Sequence, residues 1–233
     1  MNNQIYIILS RPQLGENIGA CARAMKNFGF SNLRIVSPRD AWPNEKAISA
    51  SAGADDIILS AEIFHDLKSA IEDLEYIYAT TAIKRDMNKN YVQSKNLSTE
   101  FNNCAKVGII FGRENWGLSN EDISLANSII TIDTTIDFSS LNLAQSVLVI
   151  CYELFKSNVR PDLSNAQNLA SKKEMDYFLE SLFDALDDRN FFRILEKKDR
   201  MKLNIRNIFQ RIDQLSKSDI QTLRGIVSSF SAK

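Results

Sequence analysis

The chain reads as an α/β protein: a largely parallel sheet with helices on both faces, followed by a small helical extension. Three observations predict it. Short apolar runs alternate with stretches of helical spacing, the pattern of parallel strands covered on both sides. Three of the strand–helix junctions carry glycine and polar residues where a core would carry neither. Beyond a polar stretch at 157–171 that contains Pro161, the pattern is helical only.

Taken in order, residues 5–9 form a compact apolar run suited to a buried strand. Ile18, Cys21, Ala22, Met25 and Phe28 then fall at helical spacing, and Gly29 is placed to cap that helix. Residues 33–36 read as a second strand closed by Pro38, and 47–52 as a short helix. Residues 57–59 read as a strand. A helix near 62–74 would set Ile63, Leu67, Ala70, Ile71 and Leu74 on one face. Residues 76–80 are β-rich and end at Thr80-Thr81, and the polar 84–96 reads as a long loop. Val107–Phe111 is the clearest strand. Ser119-Asn120-Glu121-Asp122 reads as a capping box opening a short helix. A strand at 128–132 and a strongly apolar helix at 142–156 complete the unit, with about six strands in all. The organisation expected is therefore an α/β domain over 1–156, a linker over 157–172 and a helical extension over 173–233.

Composition excludes several classes. The 233 residues are 44% hydrophobic and 24% charged with a formal net charge of −1, ordinary globular values that announce no nucleic-acid binder in bulk. Cys21, Cys104 and Cys151 are widely spaced with no CxxC, which argues against a disulfide framework or zinc site and fits a reducing compartment. The start, Met1-Asn2-Asn3-Gln4, lacks the basic region of a signal peptide. No apolar stretch approaches the roughly 20 residues needed to span a bilayer. A soluble cytoplasmic protein is expected. His65 is the only histidine and lies away from the three junctions, against serine–histidine–carboxylate catalysis and histidine-rich metal sites. No GxxxxGK[ST] is present, and no GxGxxG follows a strand, which removes the P-loop and the usual dinucleotide and Rossmann-methyltransferase loops.

The three junctions remain. In the first, Asn17 sits at a helix start and Arg23 lies nearly two turns on. Read plainly this is an asparagine cap and a surface arginine. Read functionally, the exposed amides and dipole end hold an anion with Arg23 aimed at it, and Gly15 and Gly19 permit close backbone approach. In the second, Gly112 and Gly117 suit a tight strand-to-helix turn, which leaves Arg113 and Glu114 unexplained. In the third, Ser139, Ser140 and Asn142 precede a long apolar helix, three polar residues where a cap needs one. Loops at the carboxyl ends of strands in an open sheet converge on one ligand cleft.

Asn17-x-Gly19-x-x-x-Arg23, Gly112-x-Glu114-x-x-Gly117 and Ser140-Leu141-Asn142-Leu143, in that order, resemble motifs 1, 2 and 3 of the SpoU (TrmH-type) branch of the SPOUT methyltransferases. The fuller strings around Gln13–Ala20, Ala24–Gly29 and Phe138–Ala144, with Leu223-Arg224-Gly225-Ile226 near the end, are similar to the TrmJ group of tRNA 2′-O-ribose methyltransferases. The resemblance implies a deep trefoil knot at the C-terminal part of the sheet domain, S-adenosylmethionine as donor (S-adenosylhomocysteine as product), no metal, and a homodimer with composite sites. It implies a catalytic set of Asn17, Arg23, Glu114, Ser140 and Asn142. The donor would lie among Thr80, Thr81, Phe111, Gly112, Arg113, Gly117, Ile132, Ser140, Leu141 and Leu143. It implies a tRNA substrate, methylated at nucleotide 32 of the anticodon loop. The same reaction on another tRNA position or on rRNA, and a non-catalytic RNA-binding role, are the alternatives.

The family account makes Arg23 the general base. A guanidinium stays protonated in proteins, so gripping a phosphate and stabilising the developing alkoxide suits it better. Asn115-Trp116 replaces the basic or small pair common in relatives, and 133–137 lacks the usual proline. Trp116 could pack on the donor, on RNA or on a second subunit. In the extension, residues 174–188 hold six acids and no base, and 189–211 hold eight basic residues against two acids. Arg200, Lys202 and Arg206 are therefore candidates for RNA contact, with Lys84 and Arg85 as a second set. The plain alternative is a solvated basic face beside an acidic one.

Overall fold

The computed structural model describes residues 4–82, 89–100, 106–135, 137–156, 168–212 and 215–231. β1 (Ile5–Ser10) pairs in parallel with β2 (Asn32–Val36) on one side and β6 (Val107–Phe111) on the other. β3 (Glu62–Phe64) extends the sheet beyond β2. β4 (Tyr76–Thr80), β7 (Ser128–Thr131) and β5 (Asn90–Gln93) follow β6 outward. The order is β3-β2-β1-β6-β4-β7-β5. The chain first builds outward from β1 to β3 and then fills the opposite half, so the winding reverses between β1 and β6. Loops leaving the carboxyl ends diverge at such a switch point and leave a crevice.

Alternation along the strands fixes two cores. Ile5, Ile7 and Leu9 with Tyr76, Tyr78, Val107, Ile109 and Phe111 face one side. Helices α1 (Gly15–Asn27), α2 (Glu45–Ser51), α3 (Asp55–Leu59) and α7 (Leu143–Lys156) supply Ile18, Met25, Ala47, Ile57, Val147, Ile150 and Leu154 to that cluster. Ile8, Ile77, Ala79, Ile110 and Ile129 face the other side, against α4 (Leu67–Ile71) and α6 (Asn120–Ser124). Each fully buried aliphatic there contributes roughly 1.5–3 kcal/mol. One short turn, Ser94–Asn96, and α5 (Leu97–Glu100) follow β5. α1 ends as its sequence implies, with Gly29 at φ +77° and the Phe30 amide donating to Met25. α6 begins with the expected capping box of Ser119 and Asp122.

Three assignments change. Residues 57–59 lie in α3, not a strand: Asp55 and Asp56 occupy the first turn, where the helix dipole favours acids, and this outweighs the β-branched pair Ile57-Ile58. The expected 62–74 helix divides into β3 and α4, broken at His65-Asp66, with Asp66 capping α4 through Ser69. His65 is exposed between them. Part of the expected 84–96 loop is β5. Both missed strands lie at the sheet's edges, where one flank is open and no long apolar run is required.

The last three helices, α8 (Lys172–Asp188), α9 (Leu195–Gln210) and α10 (Lys217–Ser231), enclose their own cluster of Met175, Phe178, Leu179, Phe183, Ile220 and Val227. They join the sheet domain through buried polar groups. Lys172 Nζ donates to Asn127 Oδ1 (2.6 Å) and to Gln210 Oε1, and Asn127 Nδ2 donates to the Gln210 carbonyl at 3.2 Å. Asn127 also serves the sheet: its amide donates to Ile77 O at 2.8 Å, and its Oδ1 accepts from the Ile77 amide at 2.9 Å. Residues 169–172, the end of the expected linker, are held by backbone bonds from Ala170 to Leu215 and from Lys172 to Leu74.

Candidate active site

The loops leaving β1, β6, β4 and β7 meet at the crevice. Each is set by local chemistry. After β1, Arg11 turns at φ +53°, donates its amide to Val36 and forms an ion pair with Asp122 of α6. This pins the first loop against the second. After β6, the chain folds back on itself. A Cβ on Gly112 would lie 2.2 Å from the Gly117 carbonyl carbon and 2.4 Å from the Leu118 nitrogen, so only glycine fits there. At the end of β4, Thr80 Oγ1 donates to Ile110 O at 2.9 Å, and the Thr81 amide donates to Ile130 O at 3.1 Å.

One cavity of about 200 Å³ lies between these loops. Its lining includes every residue of the expected donor set: Thr80, Thr81, Phe111, Gly112, Arg113, Gly117, Ile132, Ser140, Leu141 and Leu143. Glu114 lines it as well. Ala82, Trp116, Leu118, Ile130, Ser139 and Ser146 also contribute. Reading motifs missed Ile130 and Leu118 because they look like ordinary core.

Beside the cavity the three motifs are tied together. Glu114 Oε1 accepts from Asn17 Nδ2 at 2.7 Å, and Glu114 Oε2 accepts from the Gln13 amide at 2.8 Å. Asn17 Oδ1 in turn accepts from Asn142 Nδ2 at 3.1 Å, and Asn142 Oδ1 accepts from the Ala144 amide at 2.8 Å. Asn17 is therefore no cap. The N-cap of α1 is Leu14, without a side-chain bond, and the anion at this helix end is the chain's own Glu114. Gln13 was missed as a member because its contribution is a backbone amide, which no residue type encodes. Gly15 and Gly19 serve packing: a Cβ on Gly19 would stand 2.3 Å from Ala47 O of α2, and one on Gly15 would meet the Asn44 side chain.

Arg23 stands apart. It is exposed on α1, outside the cavity lining, and makes no hydrogen bond or ion pair among the described residues. The C-terminal candidates separate. Lys202 pairs with Asp187 at 3.4 Å and Arg206 pairs with Asp176, both acids of α8, while Arg200 is exposed and unpaired among the described residues. Lys84 and Arg85 lie outside the described residues. Cys21 and Cys151 are buried and free. Burial, with Cys151 and Glu114 adding to it, pushes the Cys21 thiol well above its ordinary range, and burial raises Cys151 likewise, so neither is a nucleophile. Among the described residues no cluster of three His, Cys, Asp or Glu could hold a metal ion, and no helix is long and apolar enough to cross a membrane.

Comparison with known proteins gives a consistent result. The SpoU rRNA Methylase family matches residues 4–152. A tRNA (cytidine-2′-O-)-methyltransferase TrmJ from Methanocaldococcus jannaschii is 30% identical over 211 residues, covering 89% of this chain and 91% of that protein. A tRNA (cytidine/uridine-2′-O-)-methyltransferase TrmJ from Photorhabdus laumondii is 31% identical over 237 residues, covering 98% and 97%. The crystal structure of TrmJ from Z. mobilis, at 37% identity, matches with a TM-score of 0.88 over 97% of this chain and 98% of that one.

Proposed function

We propose a function from one premise: the chain belongs to the SpoU rRNA Methylase family, in its TrmJ group. It is an RNA ribose 2′-O-methyltransferase that uses S-adenosylmethionine and acts on tRNA, at cytidine or uridine 32 of the anticodon loop. The observation that carries this reading is the bond series Glu114–Asn17–Asn142, which joins three distant motifs at the rim of one cavity.

The lining fits the donor. Leu118, Ile130, Ile132, Leu141 and Leu143 offer apolar surface for an adenosine, and the Thr80, Thr81, Ser139 and Ser140 hydroxyls with the turn backbone offer polar partners. When bound, the donor supplies an activated methyl group on sulfur. The chain supplies alignment, which lowers a barrier by removing the entropic cost of encounter. Glu114, anchored by Gln13 and Asn17, holds Asn17 and through it Asn142 in one orientation. Ser140 and Asn142 fix the loop around the cavity and the ribose. Arg23, always cationic, grips a phosphate and stabilises the developing alkoxide.

In one chain Arg23 stands outside the cavity, which supports a homodimer in which it completes the second copy's site. The exposed Leu148, Tyr152 and Phe155 of α7, the last two in ring contact with Phe28, supply an apolar face suited to that contact. The segment from β7 to α7 is the part that would thread the trefoil knot. Residues 1–156 are the catalytic domain, 157–172 the linker and 173–233 an extension for dimer or RNA contacts, with Arg200 the one of the three candidates that has no acid partner among the described residues and Lys84 and Arg85 a further set. The protein works in the cytoplasm.

Incubation of the protein with labelled S-adenosylmethionine and RNA from modification-deficient cells should label tRNA at nucleotide 32. Arg23→Ala should abolish that label while donor affinity by calorimetry stays unchanged. Near-normal turnover in this variant would remove Arg23 from the mechanism.

A further inference from the structure

We propose that Trp116, backed by Arg113, is a stacking platform for one unpaired base of the RNA substrate at the rim of the donor cavity. This rests on the methyl-transfer reading above. Trp116 lines the cavity mouth yet is 75% exposed, an indole that no core packing explains. The turn that carries it is built tightly. Asn115 (φ +68°) and Gly117 (φ +64°) flank it in the left-handed region, which asparagine and glycine tolerate best, and the Gly117 amide closes the turn on Arg113 O at 2.9 Å. The tight turn therefore holds an indole in solvent. The Arg113 guanidinium carbon lies 5.7 Å from the indole centroid, and that side chain has no carboxylate partner among the described residues.

An open aromatic surface beside an unpaired guanidinium matches a nucleotide: the base stacks on the indole and its phosphate meets the cation. A protein partner is the poorer match, because burying an unpaired guanidinium costs free energy that a phosphate would offset. The donor adenine is the poorer match too, since Leu118, Ile130, Ile132, Leu141 and Leu143 already offer it an apolar surface inside the cavity.

The test uses the full chain, an unmodified tRNA transcript and tryptophan emission. The chain has two tryptophans, and Trp42 is partly buried against the core. The wild-type emission should be quenched by tRNA. Trp116→Phe should bind tRNA within about three-fold of wild type but lose the quench. Trp116→Ala should weaken tRNA binding by about ten-fold or more, a clearly larger factor than any change in its affinity for S-adenosylmethionine. Unchanged tRNA affinity in Trp116→Ala overturns the platform, as does a parallel loss of donor affinity or of dimer mass in solution. A wild-type protein that methylates no RNA would instead sink the methyl-transfer reading, so the two failures are distinguishable.

Discussion

Two polar clusters hold this molecule together, and they are built on opposite principles. The first, Glu114–Asn17–Asn142, lies at the cavity rim, partly or fully exposed, and joins three loops at the carboxyl ends of strands. The second, Lys172–Asn127–Gln210 with Lys89 nearby, is buried and fastens the C-terminal helices to the sheet. Lys89 donates to the Ser124 and Ala126 carbonyls at the end of α6. Removing a partner from the exposed cluster leaves groups that water can satisfy. Removing one from the buried cluster strands its neighbours, which costs the full desolvation penalty. One cluster is therefore built for positioning, the other for docking.

The sharpest way to separate them is at Glu114. Glu114→Gln keeps the shape but sets an amide against the Gln13 and Asn17 donors, so turnover should fall about a hundred-fold while denaturation shifts by about 1 kcal/mol or less. A large loss of stability with intact turnover would reverse the assignment. Next in size is Lys172→Ala. It leaves the Asn127 and Gln210 oxygens short of a donor and should cost about 2 kcal/mol in urea denaturation, with turnover per folded molecule close to wild type. A stability change within error would show that the joint is not closed by this lysine.

The third separation is a pH slope. Burial, reinforced by Lys172, Arg206 and Arg211, lowers Lys89 from an ordinary 10.5 to about 6. The unfolded chain thus binds a proton that the folded one lacks between those two values. Stability gains from this group as pH rises through that window and the penalty is greatest below it. Lys89→Met should flatten the rise in unfolding free energy between about pH 6.5 and 9.5 relative to wild type. Identical slopes in the two proteins would mean Lys89 stays charged when folded, held by the two carbonyls.

Much of the first cluster was legible in the chain because glycines and carboxyl-end polar residues are rare in a buried sheet. Gly112, Glu114 and Asn142 could be picked out without knowing their neighbours. The role of Asn17 was not legible, since an asparagine at a helix start reads as a cap until Glu114 is seen to bind it. The edge strands β3 and β5 escaped for a related reason: with one flank open, they carry no long apolar run. The basic stretch of α9 was visible as charge, yet its neutralisation at Lys202 and Arg206 depends on where α8 lies.

By itself the sequence determined the sheet's buried strands, the C-terminal end of α1, the start of α6, and which residues would be set at the carboxyl edge, because apolar period, caps and glycine are local properties. Only the tertiary structure decided that Glu114 is the anion at the start of α1, that Arg23 stands outside its own chain's cavity, and that Asn127, Lys172 and Gln210 meet. Those are distances between residues far apart in the chain, and no local spacing encodes them.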